Sequence, residues 1–265
     1  MSSKKRDLLK DVIQHIDITK INSTDIIDSM RDMSFSSRDT ARAADILQMM
    51  IRDKDCTNWL TMAGSSSAGG CMQVYVDMVR FNMIDCIVST GASIIDMDFF
   101  EALGFKHYKG TPFVDDGMLR SVYIDRIYDT YIDEEELQHC DATIKKIADS
   151  LEPRPYSSRE FLWETGKWLK ENSVKKDSLI QTCYEHGVPI FVPAFSDCSA
   201  GFGLVLHQQE RIKEGKPYLT IDSVADFREL TDIKIKAKTS GLFMVGGGVP
   251  KNFAQDTVVC AECQG

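Results

Sequence analysis

Four clusters of small residues recur along this chain, each directly after a short apolar run. Gly64, Ser65, Ser66, Ser67 and Ala68 follow NWLTMA, and Thr90, Gly91 and Ala92 follow DCIVS. FSDCSAGFG (195–203) follows VPIFVPA, and Gly246, Gly247 and Gly248 follow GLFMV. Small side chains let a backbone approach a phosphate closely, and the free N–H groups of a following helix can hold it. Tight strand-to-helix turns would account for the same glycines, but four such loops in one chain favour a nucleotide. None has the GxGxxG spacing or the GK[ST] ending that would name the ligand. Asp96 and Asp197 sit in the same loops, where a carboxylate can hold a ribose hydroxyl or an ammonium, or cap a turn. Ser196, Cys198 and Ser199 are nucleophile types, yet no histidine stands in a triad relation to them, and His207 reads as a packing or surface residue. Cys260 and Cys263 form one CxxC pair without a second pair or nearby histidines, so no metal site is expected.

The elements that must position these loops follow from the apolar runs. Continuous apolar strands separated by helical stretches are buried on both faces, which predicts a doubly wound α/β fold with a mainly parallel, Rossmann-like sheet. Residues 1–57 read as a helical N-terminal segment packed on a main α/β domain spanning 58–265. Asn22 to Asp25 offer caps for one helix, and Ser37 is expected to start the next. Gln73, Asp77 and Arg80 predict a narrow wet stripe on an otherwise apolar helix. The strand rhythm is lost between Phe105 and Asp133, an excursion from the sheet, after which DEEE opens an exposed helix. Ser157 and Glu160 have capping-box spacing, and Pro189 and Pro193 can flank a strand but not interrupt it.

A formal charge of -9 argues against nucleic acid or an anionic membrane as partner. The apolar runs are too short to span a bilayer, and the N-terminus lacks the apolar core of a leader, so a cytoplasmic location is expected. The 8 cysteines read as reduced and mostly buried.

Three ordered segments carry a more specific signal: FNMIDCIVSTGASIIDMDFFEALG, GVPIFVPAFSDCSAGFG and SGLFMVGGGVPKN. Together they resemble the deoxyhypusine synthase family, in particular its bacterial deoxyhypusine synthase-like branch. The resemblance implies an NAD-binding sheet, a homotetramer with sites at dimer interfaces, and transfer of an aminoalkyl group from a polyamine such as spermidine to an acceptor amine through imine intermediates. It further implies NAD contacts from Gly64, Ser65, Ser66, Ser67 and Ala68, from Thr90, Gly91 and Ala92, and from Asp96, Asp197 and Gly247. Ile95, Asp96, Phe202 and Asn252 fall at substrate positions. Asp96 stands where the family usually has a glutamate, one methylene longer, and the other three depart further from the family pattern. Phe202 replaces an aspartate, Asn252 replaces a histidine, and Ile95 lacks an acidic character, which favours agmatine-like or putrescine-like amines over spermidine. The family's catalytic lysine has no counterpart up to Gly265, so the chain is expected to be C-terminally incomplete, with little turnover of its own and an exposed apolar sheet edge. A binding-only paralogue that regulates a longer partner is the alternative.

Overall fold

The apolar runs do become strands of one parallel sheet. The computed structural model of the chain describes residues 3–264. Three helices come first, α1 (Ser3–Leu8), α2 (Thr24–Met30) and α3 (Phe35–Arg52), then β1 (Cys56–Met62). Wide helical turns at Ser67–Cys71 and Ala92–Phe99 lead into α4 (Met72–Arg80) and α5 (Phe100–Ala102), with β2 (Cys86–Ser89) between them. There follow β3 (Tyr108–Lys109), α6 (Asp116–Ser121), β4 (Ile124–Ile127), β5 (Thr130–Asp133), α7 (Glu134–Ser150), β6 (Pro155–Tyr156), α8 (Ser158–Asn172) and α9 (Leu179–His186). The chain continues through β7 (Ile190–Phe191), α10 (Ser199–Lys213), β8 (Thr220–Ile221), α11 (Ser223–Lys236), β9 (Thr239–Val245) and α12 (Val249–Cys263).

The main sheet has the order β7-β2-β1-β9 with every pairing parallel. Alternate residues leave its two faces, and both faces are covered. Leu60, Met62, Ile87 and Ile190 join the larger core with Val76, Phe99 and Phe161. Trp59, Cys86, Val88 and Phe191 turn the other way, onto Leu230 of α11 and Ala254 of α12. The layering is that of a doubly wound α/β fold. On the far side of β9 no described strand pairs, and Met244 is 46% exposed there.

The excursion folds as a small antiparallel sheet, β3-β5-β4. It ends in Asp133, whose side chain accepts from the Glu135 N–H and caps α7. α7 is not simply an exposed helix: Cys140, Ile144, Ile147 and Ala148 are buried in the larger core. Ser157 and Glu160 do make the reciprocal capping box of α8. Two local expectations are corrected. The third helix starts at Phe35 after an extended Ser34, two residues before Ser37. The Gln73–Asp77–Arg80 stripe is only partly open to water, because Asp77 is buried and accepts from Gln73 and Arg80, while half-buried Arg80 reaches on to Asp177. The cysteines are all free, but only Cys86, Cys140 and Cys183 are fully buried. Among the described residues, no helix is long and apolar enough to cross a membrane, and no three potential ligands converge on a metal position.

Candidate functional site

Strand order determines where the small-residue loops gather. From β1 the chain passes to β2 and then β7 on one side, and β9 returns to the other side of β1. The order reverses between β1 and β9, and a crevice opens beyond the carboxyl ends of such a pair. The Ala63 N–H donates to Val245 O at 2.9 Å, so the first and fourth loops leave the sheet side by side. Gly246 has φ +77°, and a Cβ there would sit 2.6 Å from Ala63 O; only glycine fits. Gly64, Gly247 and Gly248 have nothing within 4 Å of where a Cβ would lie, which leaves the floor of the crevice open. α12 starts at Val249, directly after these glycines.

Hydrogen bonds and close packing tie the other two loops to this pair. Ser93 Oγ accepts from Thr90 Oγ1 at 3.1 Å and donates to Gly64 O at 2.9 Å, joining the second loop to the first. At Gly91 a Cβ would lie 2.4 Å from Cys198 Sγ, so the third loop packs directly on the second. Within the first loop, Ser66 Oγ pairs with the Tyr75 hydroxyl at 2.7 Å. Ser67 and Ala68 are buried, with Ser67 Oγ directed at Met97 Sδ. Gly64, Ser65 and Ser66 thus keep surface in this loop, as do Thr90 and Ala92 in the second.

Beside the crevice lies an acidic cavity of about 340 Å³, lined by Asp96, Glu134, Asp141, Asp197, Ser199 and Phe202 among others. Asp96 Oδ1 accepts from the Ser199 N–H at 2.9 Å. Burial pushes the Asp96 carboxyl up to about 7; the Ser199 bond opposes this, and Asp141 and Asp197 add to it. Burial also raises Asp141, whose Oδ1 accepts from Ser199 Oγ. Phe202 is 66% exposed and brings no charge. Asp98, two residues from Asp96, has a different job: its carboxylate accepts from the Leu179 and Ile180 N–H groups at 2.7 and 2.8 Å and anchors the start of α9.

The site residues read from sequence therefore divide. The loops of Gly64, Thr90, Asp197 and Gly247 converge, and Asp96, Asp197 and Phe202 share one cavity. Ile95 is completely buried and does not line that cavity, a correction that follows from its apolar side chain joining the core. Asn252 is exposed in the first turn of α12, its N–H donating to Gly248 O at 3.1 Å, and does not line the cavity either. His207 is a packing residue: it is buried, with Nδ1 paired to Asp149 at 2.7 Å and Nε2 accepting from the Leu219 N–H. Glu134, Gln138 and Asp141 went unread. Their spacing along α7 was visible, but nothing in the sequence says which loop that helix faces.

A helix-flanked parallel sheet with a reversal-point crevice and an adjoining acidic cavity defines a doubly wound α/β protein with a candidate ligand site at its strand ends. The comparisons narrow it. The family model for deoxyhypusine synthase matches residues 25–264. A deoxyhypusine synthase-like protein of Caulobacter vibrioides is 70% identical over 265 residues, covering all of this chain and 72% of the relative. One from Coxiella burnetii is 63% identical over 266 residues, covering all of this chain and 75% of that relative. The crystal structure of a protein assigned as a deoxyhypusine synthase from Entamoeba histolytica aligns with a TM-score of 0.62 at 19% identity, over 89% of this chain and 80% of that one; it supports the fold. The chain belongs to the deoxyhypusine synthase family.

Proposed function

We propose that the chain binds NAD in the β1–β9 crevice and an amine cation in the acidic cavity, as an NAD-dependent transferase moving an aminoalkyl group from a polyamine or related amine to an acceptor amine. One observation carries this reading: the third loop closes both spaces at once. Cys198 packs on Gly91, and Ser199 holds Asp96, so the acidic cavity lies directly beside the dinucleotide loops.

The residues present suit NAD. Gly64, Gly247 and Gly248 leave room for a pyrophosphate, and Asp197 offers an exposed carboxylate on the neighbouring loop. When bound, NAD supplies a hydride acceptor for the carbon next to the amine nitrogen. That carbon gives up hydride only after the ammonium loses its proton. Asp96 is placed to take it, because Oδ1 is engaged by Ser199 and Oδ2 is left for the amine, at a carboxyl poised near neutrality. Phe202 adds apolar surface in place of charge, which suits a shorter amine such as putrescine or agmatine. No lysine is among the described residues lining the cavity, so covalent capture of the group is assigned to no residue of this chain. The same observation favours a second reading, a subunit that binds NAD and amine without turnover. The family resemblance supports a homotetramer and a cytoplasmic setting.

The test is a single-turnover experiment on the full chain. NAD is added at excess protein, then putrescine, agmatine or spermidine, and bound NADH fluorescence is followed. NADH formation supports the transferase reading, binding of both ligands without NADH selects the binding subunit, and failure to bind NAD overturns both.

A further inference from the structure

α7 carries Glu134, Gln138 and Asp141 at positions i, i+4 and i+7, which puts all three on one face of the helix. The carboxylates at its ends are two turns apart, roughly 10 Å along the axis at about 1.5 Å per residue. Cys140, Ile144 and Ile147 bury the other face in the core, so the carboxylate face is held toward the cavity. Ser199 fixes the inner end, since its N–H bonds Asp96 while its hydroxyl donates to Asp141. Gly203 makes that contact possible. A Cβ there would meet Asp141 O at 2.6 Å and Ile144 Cβ at 3.0 Å, so α10 approaches α7 more closely than any larger residue allows. At the outer end, Glu134 and Gln138 also line a second, wider cavity of about 700 Å³. Among the described residues no lysine or arginine forms an ion pair with Glu134, Asp141, Asp96 or Asp197, although the chain pairs many of its other carboxylates. Asp96, Glu134 and Asp141 are half-buried, and holding like charges there without a counter-ion is costly, a cost that a cationic ligand removes.

We propose that α7 is the amine-gripping wall of the site and measures a ligand with two cationic ends, one held at Asp141 beside Asp96 and the other at Glu134. The inference rests on the amine-transfer reading above and adds the residues that choose the ligand and the shape they choose. Allowing about 2.8 Å for each ammonium–carboxylate contact, the roughly 10 Å between the two positions leaves about 5 Å between the cationic ends, the reach of an extended three-carbon spacer or a bent four-carbon one. A monoamine of the same length fills only the inner position. A diamine or an aminoalkylguanidine fills both, and a guanidinium can meet its carboxylate with two parallel bonds.

The experiment is calorimetric titration of the full chain, with NAD present, using putrescine, agmatine and butylamine as probes. The wild-type chain is expected to bind the two-ended amines at least about tenfold more tightly than butylamine, the scale of one charge-assisted contact. Asp141→Asn should weaken all three probes by about tenfold. Glu134→Gln, a half-buried first-turn change outside the core, should weaken only putrescine and agmatine and close the gap to butylamine. Melting curves establish that each variant is folded; should Asp141→Asn not fold, Glu134→Gln decides alone. Unchanged agmatine binding in the folded variants, or a wild-type chain that does not distinguish putrescine from butylamine, overturns the assignment of α7 and leaves the amine reading standing. A wild-type chain that binds NAD but none of the three amines overturns the amine reading itself, and this inference with it.

Discussion

In the proposed function, Asp96 is the residue at which binding and proton chemistry meet. Its carboxyl holds a proton up to about pH 7, because burial and the neighbouring Asp141 and Asp197 disfavour the charged form. An ammonium or guanidinium binds the carboxylate, not the acid, so binding below that pH must expel the proton. Amine affinity is therefore expected to fall as pH drops through about 7, by at most about tenfold per pH unit for one proton. The amine remains charged throughout, so the slope belongs to the protein. Titrations in buffers of different ionisation enthalpy should show proton release at pH 6 and little at pH 8.5. Asp96→Asn should abolish the slope, and a slope that survives would move the titration to another group. The sign for stability is the reverse of a salt-bridged carboxylate. Because the folded-state value is raised, Asp96 costs stability progressively as pH rises from the ordinary carboxylate range through about 7. The type and position of this residue were legible in the sequence, whereas its protonation was not, since that depends on three neighbours 45 or more residues away.

At the scale of elements, the N-terminal arm is tied to the turn after the first small-residue loop, next to a buried charge cluster. The Ile13 N–H donates to His107 O and the Ile16 N–H to Gly70 O, both at 2.9 Å. Gly70, at φ +101°, passes so close that a Cβ would lie 2.8 Å from Gln14 O. Glu101 secures the arm, meeting His15 Nε2 at 2.8 Å, His107 Nδ1 at 3.0 Å and Lys175 Nζ at 2.6 Å. Burial alone would raise the Glu101 carboxyl, but the bonds from His107, His15 and Lys175 outweigh it and hold it well below its ordinary range. Its contribution to stability is therefore present above the usual carboxylate range and is lost as pH falls through the depressed folded-state value. Glu101→Gln should cost about 3–5 kcal/mol, since it leaves buried partners uncompensated. Hydrogen exchange at the Ile13 and Ile16 amides should rise by more than global destabilisation explains; equal rises across the chain would mean that the arm is not a separate unit. Capping boxes and helix faces could be read here from local spacing. The arm's attachment could not, because it joins residues 15, 101, 107 and 175 with no periodic signal between them.

For the whole molecule, the outward face of α10 needs explaining. Phe202, Val205 and Leu206 stand at i, i+3 and i+4 and are 66%, 52% and 49% exposed, while Ala200, Gly203, Leu204 and His207 bury the opposite face. A helix apolar on both faces is seldom left in water, and a second copy of the chain would cover this one. Sedimentation velocity is expected to show a mass of about four chains, each of 29.8 kDa. Leu206→Glu should shift it to smaller species at unchanged secondary structure. A monomeric wild-type chain would leave this face without a role and the homotetramer without support.

What the sequence determined by itself was the repertoire of parts. Continuous apolar runs specified strands buried on two faces, the small residues after them specified loops a ligand can approach, and three ordered motifs specified the family. These are local properties, carried by residue type and by periods of 2 and 3.6. Only the tertiary structure decided which parts meet. The return of β9 beside β1 put Gly64 and Gly246 in one crevice, the contact at Gly203 turned α7 from a solvent-exposed helix into the wall of the acidic cavity, and burial removed Ile95 from the site. The reason is physical: spacing along a chain says which side chains share a face, and strand order and helix packing alone say what that face looks upon.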